Sequence, residues 1–266
     1  MCANYPIAHP TPFGDVNTVL VDLLGRIQAI LDCQFVGLYL YGSLALGDFN
    51  PQTSDIDFAV VTQHDLSDEV ISRLRAMHAQ FDHSDSPWAG KVEAAYIPLE
   101  ALKHAHSVTT LYPQVEKGTE LFLAPLEAGW PFQRYSLRER GVVVSGPRPV
   151  VFTDPVETVE MRRAAVSILS GWQKQASQDP GWIAWVRQRS SQAFVILTIC
   201  RMLYSLETGA VASKPAAAHW AQKTLEAGRG QLIQCALANQ HSRQEISDIE
   251  LMETLDFLDE ALKRIQ

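Results

Sequence analysis

The segment from Gly42 to Asp57 constrains this chain more than any other part of its sequence. An apolar run over residues 35–41 precedes it, and a second apolar run over 58–61 follows it. Short apolar runs bounded by turn-forming residues predict buried strands. We therefore predict one strand over 35–41, a Gly-Ser turn and a surface loop, and a second strand over 55–62 that opens with two aspartates.

Those two aspartates, Asp55 and Asp57, are two positions apart, so on a strand they point to the same side. Two adjacent carboxylates repel each other unless one is protonated or a cation binds both. Mg²⁺ prefers oxygen ligands of this kind. Upstream, Gly42 and Ser43 offer backbone N–H groups and a hydroxyl that suit phosphate oxygens. The pattern predicts a metal and phosphate site; the alternative is that the aspartates only cap a neighbouring turn.

A third carboxylate, Glu93, lies inside the next predicted strand, over residues 91–97, among apolar neighbours. If this strand lies beside the second strand, Glu93 completes a three-carboxylate cluster with Asp55 and Asp57. Such a cluster is destabilising without a cation, so it indicates function. The alternative is an outward-facing glutamate on an edge strand.

Composition places the chain among ordinary globular proteins. It has 266 residues, of which 47% are hydrophobic and 20% charged, and its net charge is -8. An acidic chain lacks the basic face that broad nucleic-acid binding needs, so we expect no nucleic-acid partner. The same charge favours a cationic small molecule.

Cysteine usage and hydropathy predict a cytoplasmic protein. Cys2, Cys33, Cys200 and Cys235 form no CxxC pair, which argues against a structural zinc site and fits a reducing compartment. The longest apolar run, over 194–200, is too short to cross a bilayer, and the first residues do not resemble a signal peptide. We expect no membrane partner, and a monomer in preference to an oligomer.

The chain divides into an α/β half and an all-helical half at the Pro- and Gly-containing segment 145–149. We predict domains over 1–149 and 150–266. Residues 105–135 are expected to form loops and short strands. The amphipathic periodicity predicts an early helix from Asp15, a second from about 65 to 81, and C-terminal helices over 156–175, 183–206, 215–227, 231–239 and 246–265.

The pattern G-S-x10-S-D-x-D over 42–57, followed by a strand glutamate, resembles the nucleotidyltransferase superfamily. Further along, residues 197–205 and 208–221 look like the C-terminal helical domain of the streptomycin/spectinomycin adenylyltransferases, and residues 144–147 and 152–155 resemble that family's hinge. The resemblance implies an α+β protein: an N-terminal polymerase β-like nucleotidyltransferase domain with a mixed sheet and helices, followed by an all-α helical bundle.

The resemblance also implies a mechanism. Asp55, Asp57 and Glu93 would bind two Mg²⁺ ions that hold the triphosphate of the co-substrate ATP, and Glu93 would take the proton from the acceptor hydroxyl. Gly42, Ser43 and Ser54 would hold phosphates. Lys214 would reach the ATP phosphates from the helical domain, in a cleft between the domains; its alternative is an ordinary surface lysine at a helix start.

The function implied is transfer of AMP from ATP to a hydroxyl of a small molecule, with an aminoglycoside or aminocyclitol antibiotic as the leading acceptor. Two departures bear on that acceptor. Residues 187–194 contain two arginines and no carboxylate where the relatives contact the cationic drug, and residues 116–127 contain no tryptophan, although Trp130 follows. The alternatives are another metabolite or a protein side chain as acceptor, or a nucleotide-binding module that does not react.

Overall fold

A computed structural model describes residues 9–103, 110–225 and 227–266. The chain forms two compact units, Met1–Pro155 and Val156–Gln266. The division falls six residues after the domain boundary expected from the sequence. Cys2 and residues 105–109 of the segment expected to form loops and short strands lie outside the described residues.

The first unit is built on a six-stranded mixed sheet in the order β5-β4-β3-β2-β1-β6. β2 and β3 are parallel, and all other neighbouring pairs are antiparallel. The strands are β1 (Phe35–Leu40), β2 (Ile56–Thr62), β3 (Val92–Pro98), β4 (Leu111–Val115), β5 (Phe122–Pro125) and β6 (Val142–Ser145).

The described residues of this unit form five α-helices. They are α1 (Gly14–Leu31), α2 (Gly42–Leu46), α3 (Asp68–Asp82), α4 (Leu99–Lys103) and α5 (Trp130–Arg140). Alternate residues of β2 enter two separate cores. Ile56 and Phe58 pack in a cluster with residues of α1 and α3, whereas Ala59 and Val61 pack with residues of α4 and α5. Both faces of the sheet are therefore covered, as the continuous apolar run over 58–61 predicts.

The second unit is entirely helical in its described residues. Its helices are α6 (Thr158–Gln178), α7 (Pro180–Val186), α8 (Arg189–Thr208), α9 (Lys214–Thr224), α10 (Gly230–Ala238) and α11 (Asp248–Ile265). The predicted helix over 183–206 is two helices, since Gln188 has an extended backbone and begins α8 as its N-cap. Cys200 is fully buried in α8, where it serves as a small apolar residue.

Several sequence-based expectations need correction. The helix expected from Asp15 begins one residue earlier, at Gly14, with Phe13 as its N-cap; Asp15 lies in the first turn, and its Oδ2 accepts a hydrogen bond from Trp88 Nε1 at 3.2 Å. The Gly42-Ser43 pair opens the short helix α2 and not a simple turn. α5 lies partly in the segment read as loops and short strands. None of the described helices has the length and apolar character needed to cross a membrane.

Candidate active site

The predicted carboxylates meet at one end of the sheet, on the face that carries α5. Asp57 alternates with Ile56 and Phe58, so its side chain leaves β2 on the same face as Ala59 and Val61. Asp55, directly before β2, has the same parity. The face buries apolar side chains further along the strands, and at this end it presents acids.

Glu93 lies beside Asp57 because β2 and β3 are parallel and in register. Asp57 pairs with Glu93 as Ile56 does with Val92, and the two carboxyl groups are hydrogen-bonded to each other. Burial, and then the Asp55 carboxylate, raises the pKa of Glu93, while the Asp57 hydrogen bond partly offsets this. Glu93 is therefore a central-strand residue facing another acid and not an outward-facing edge residue.

Asp55 takes its partner from the β4–β5 turn. Lys117 Nζ lies 2.8 Å from Asp55 Oδ1. The Asp55 side chain is 23% exposed, and Oδ1 itself is buried and receives no well-directed hydrogen bond. Asp55 is thus held by the charge of Lys117.

Gly42 gives the backbone its turn from β1 into α2. Its φ of +59° lies in the left-handed region, and an added Cβ atom would overlap Asp57 Oδ2. The Tyr41 N–H donates to Asp57 O at 3.1 Å, which ties the end of β1 to the start of β2. Glycine is therefore required both for the dihedral and for the close approach of Asp57. The Ser43 carbonyl accepts the Asp48 N–H at 3.0 Å and so helps to end α2.

Ser54 orders the loop that leads to the aspartates. Its Oγ accepts from Asn50 N at 3.0 Å, and its own N–H donates to Asn50 O at 2.8 Å. A loop closed by these two bonds delivers Asp55 to a fixed place at the start of β2. Direct contact of Ser54 or Ser43 with phosphate stays a prediction.

Three residues beside the cluster were not assigned to it from the sequence. Burial raises the pKa of Tyr41 well above its usual value, and the carboxylates of Asp57, Glu93 and Glu127 raise it further. Glu116 follows the β4 residue that pairs with Ala94, so it lies next to Glu93 across the ladder. Loss of solvation first, and Glu116 second, raise the pKa of Glu127. Glu116 and Glu127 therefore extend the negative surface away from the predicted metal ligands.

The donor set suits a hard divalent cation. It offers carboxylate oxygens from Asp55, Asp57 and Glu93, with repulsion among them that a cation would relieve. Within the described ranges, no three His, Cys, Asp or Glu side chains converge closely enough to form a metal-binding group as they stand. Asp57 and Glu93 are hydrogen-bonded to each other, whereas Asp55 is paired with Lys117. The metal-ligand assignment stays a prediction.

Lys214 lies in the second unit, as the first residue of α9. The Ser213 side chain caps that helix by accepting from Ala216 N, and Pro215 occupies its first turn. Lys214 is half-buried. A cation at a helix N-terminus is electrostatically unfavourable, so the position calls for a reason beyond helix stability. Its contact with ATP stays a prediction.

Arg187 and Arg189, whose charges argue against a cationic acceptor when only the sequence is considered, both pair with acidic residues of α11. Arg189 makes a two-bond pair with Glu250, at 2.8 and 3.2 Å. Arg187 Nη2 lies 2.6 Å from Asp248 Oδ1. These carboxylates lie far from 187–194 in sequence, so the stretch looks more positive in sequence than it is in the fold.

Comparisons with known proteins bear on both units. The family described as "Nucleotidyltransferase domain" matches residues 28–98, and the family described as "Aminoglycoside adenylyltransferase, C-terminal domain" matches residues 151–263. The chain resembles the two-domain aminoglycoside adenylyltransferase-like family of nucleotidyltransferases in both of its units. It is an enzyme of the adenylyltransferase type, and the family expected from the two sequence motifs is confirmed.

Individual relatives agree across most of the length. An aminoglycoside (3'') (9) adenylyltransferase of Shigella flexneri is 26% identical over 225 residues, which cover 80% of each chain. A spectinomycin 9-adenylyltransferase of Campylobacter jejuni is 24% identical over 206 residues, 73% of each chain. A crystal structure of a spectinomycin adenyltransferase from Enterococcus faecialis, with ATP and spectinomycin, matches with a TM-score of 0.69 at 16% identity. It covers 92% of this chain and 99% of that one, and it confirms the predicted fold.

Proposed function

We propose that this nucleotidyltransferase moves AMP from ATP to a hydroxyl of a small molecule, with Mg²⁺ bound, and that the acceptor is an aminoglycoside or aminocyclitol of the streptomycin/spectinomycin type. The observation that carries the proposal is the side-by-side placement of Asp57 and Glu93 on parallel strands, with Asp55 one residue before β2. The relatives' names support the acceptor class.

In this proposal Asp55, Asp57 and Glu93 hold the metal, which when bound neutralises charge on the attacking and leaving oxygens of the transfer. The residues of the chain orient the reactants. The backbone at Gly42 and the Ser43 hydroxyl bind terminal phosphates, with Ser54 nearby and Lys214 contributing a positive charge. Glu93 accepts the proton of the acceptor hydroxyl as that oxygen attacks the α-phosphorus and pyrophosphate leaves.

A cationic acceptor fits the charges around this cluster. Glu116 and Glu127 place two further carboxylates beside Glu93 and Tyr41. In the second unit, Arg187 and Arg189 are matched by acids of α11. The net charge of -8 acts in the same direction over a longer range. These charges support an acceptor that carries amino or guanidino groups.

The test is to follow the adenylyl group of α-labelled ATP in the presence of Mg²⁺ and a panel of aminoglycosides and aminocyclitols. Label recovered on streptomycin or spectinomycin supports the proposal, and label on the protein supports a protein acceptor instead. ATP binding with no transfer of label to any acceptor contradicts the proposal and supports a nucleotide-binding module that does not react. Asp57→Asn is the inactive variant, and Asp68→Asn, an exposed acid at the start of α3, is its matched control.

A further inference from the structure

The turn between β4 and β5 is closed tightly around Lys117. Thr119 N donates to Glu116 O at 3.0 Å, and the Thr119 hydroxyl donates to the same oxygen at 3.0 Å. In return Glu116 N donates to Thr119 Oγ1 at 3.2 Å. Gly118 supplies the positive φ, +70°, that the turn needs. Since three hydrogen bonds fix these four residues, the backbone of Lys117 has a defined position.

From that position Lys117 contacts two of the three predicted metal ligands. Its backbone N–H lies close enough to the Glu93 carboxylate to lower the pKa of that group, and its Nζ lies 2.8 Å from Asp55 Oδ1. The first contact anchors the turn to β3. The second places a positive charge against the aspartate that precedes β2.

An ammonium group paired with Asp55 Oδ1 disfavours a divalent cation at the same carboxylate, because the two cations repel each other at such short distances. Without a metal, the ammonium offsets the repulsion among the neighbouring carboxylates. When a metal binds, this repulsion drives the ammonium away from Oδ1. The Lys117 side chain is 52% exposed, so it can move into solvent without breaking the turn.

We propose that Lys117 is a built-in counter-cation of the metal site, which a divalent cation displaces from Asp55, and that it thereby lowers the affinity of the nucleotide-free enzyme for the metal. The inference rests on the proposed function, because it takes Asp55 and Glu93 as metal ligands. Lys117 acts through Asp55 and is a positioning residue, not a catalytic one. Metal loading and release of the ammonium are then one coupled event.

Lys91 provides a matched control. It precedes β3 at the same end of the sheet, and its Nζ lies 5.5 Å over the ring of Trp88. Lys91→Met and Lys117→Met remove the same charge with the same replacement, but only the second removes the contact with Asp55. Lys117→Arg keeps a positive charge at the turn.

The experiment is a titration of nucleotide-free enzyme with Mn²⁺, with free Mn²⁺ measured by electron paramagnetic resonance. Lys117→Met should bind Mn²⁺ about three- to tenfold more tightly than wild type, the size of effect expected when a partly exposed ion pair no longer competes. Lys117→Arg and Lys91→Met should bind within about twofold of wild type. The rise in melting temperature on adding Mg²⁺ should be larger for Lys117→Met than for wild type.

Unchanged or weaker Mn²⁺ binding by Lys117→Met overturns the inference, and so does an equal gain in Lys91→Met. If wild type transfers AMP and binds Mn²⁺ while Lys117→Met binds Mn²⁺ no more tightly than wild type, the inference about Lys117 fails and the proposed function stands. If no form binds Mn²⁺, both the inference and the metal role of the carboxylates fail.

Discussion

Gly42 and Asp57 are packed so closely that a Cβ atom on Gly42 would overlap the Asp57 carboxylate oxygen Oδ2. The contact joins the start of α2, where phosphate binding is proposed, to the strand that carries the proposed metal ligands. Any side chain at position 42 must therefore push Asp57 away from its place beside Glu93.

Gly42→Ala tests this relationship. We expect adenylyl transfer to fall by about a hundredfold or more, since small displacements of positioning groups have effects of that size. The left-handed backbone adds a stability cost of about 1–2 kcal/mol. Gly47→Ala is the control, because Gly47 also has a positive φ, +75°, but nothing lies within 4 Å of an added Cβ. Similar losses of transfer in both variants would mean that backbone strain alone, and not the Asp57 contact, explains the effect.

Glu93→Gln should separate binding from chemistry. The amide keeps the shape of the side chain but cannot take a proton, so transfer should fall by about 10²- to 10⁴-fold. ATP affinity, measured by calorimetry, should stay within a few-fold of wild type. Glu100→Gln, an exposed glutamate of α4, should leave both quantities unchanged. Retained transfer by Glu93→Gln would rule out its role as the base.

Lys214→Met should weaken the use of ATP while the fold is kept. A lost charge-assisted contact to phosphate predicts a rise of about ten- to a hundredfold in the KM for ATP. Lys223→Met removes a lysine from the last turn of the same helix and should have no such effect. Equal KM values in the two variants would make Lys214 an ordinary helix-start lysine.

His78 should make the stability of the first unit depend on pH. It is 1% exposed, its Nε2 lies 2.7 Å from the Tyr96 hydroxyl, and burial lowers its pKa to about 4. The His78 imidazole binds a proton more readily in the unfolded chain than in the folded one. The free energy of unfolding is therefore at its full value above about pH 6.5 and falls by up to about 3 kcal/mol as the pH decreases toward 4. Urea unfolding of wild type and His78→Gln at pH 7.5 and 4.5 measures this.

The difference in the free energy of unfolding between wild type and His78→Gln should shrink at pH 4.5. Only wild type carries an imidazole that gains a proton when unfolding exposes it. His83→Gln, at an exposed histidine that follows α3, serves as the control. The same pH dependence in wild type and His78→Gln would contradict the assignment.

The short-range patterns of the sequence predicted the three strands around the acids well. From the sequence, Glu93 joins the two aspartates only if the second and third strands are neighbours. The structure meets that condition, because β2 and β3 are paired in parallel with Asp57 opposite Glu93. Strand bounds differed by a residue at the ends. The register of β2 against β3 is known from the structure and was not predicted from these local patterns.

Long-range pairings were not predictable in the same way. Lys117 reaches Asp55 only through the pairing of β4 with β3, and Arg189 meets Glu250 only through the packing of α8 with α11. α5 was missed because Gly129 and Pro131 resemble loop residues; proline is in fact favoured in the first turn of a helix, and Pro131 is placed there.

The most direct test is the mass of spectinomycin or streptomycin recovered after incubation with the enzyme, ATP and Mg²⁺. The account predicts a product heavier than the drug by one adenylyl group, pyrophosphate released in equal amount, and neither product with Asp57→Asn. Unmodified drug in every sample, together with ATP bound by the wild-type enzyme, would contradict it.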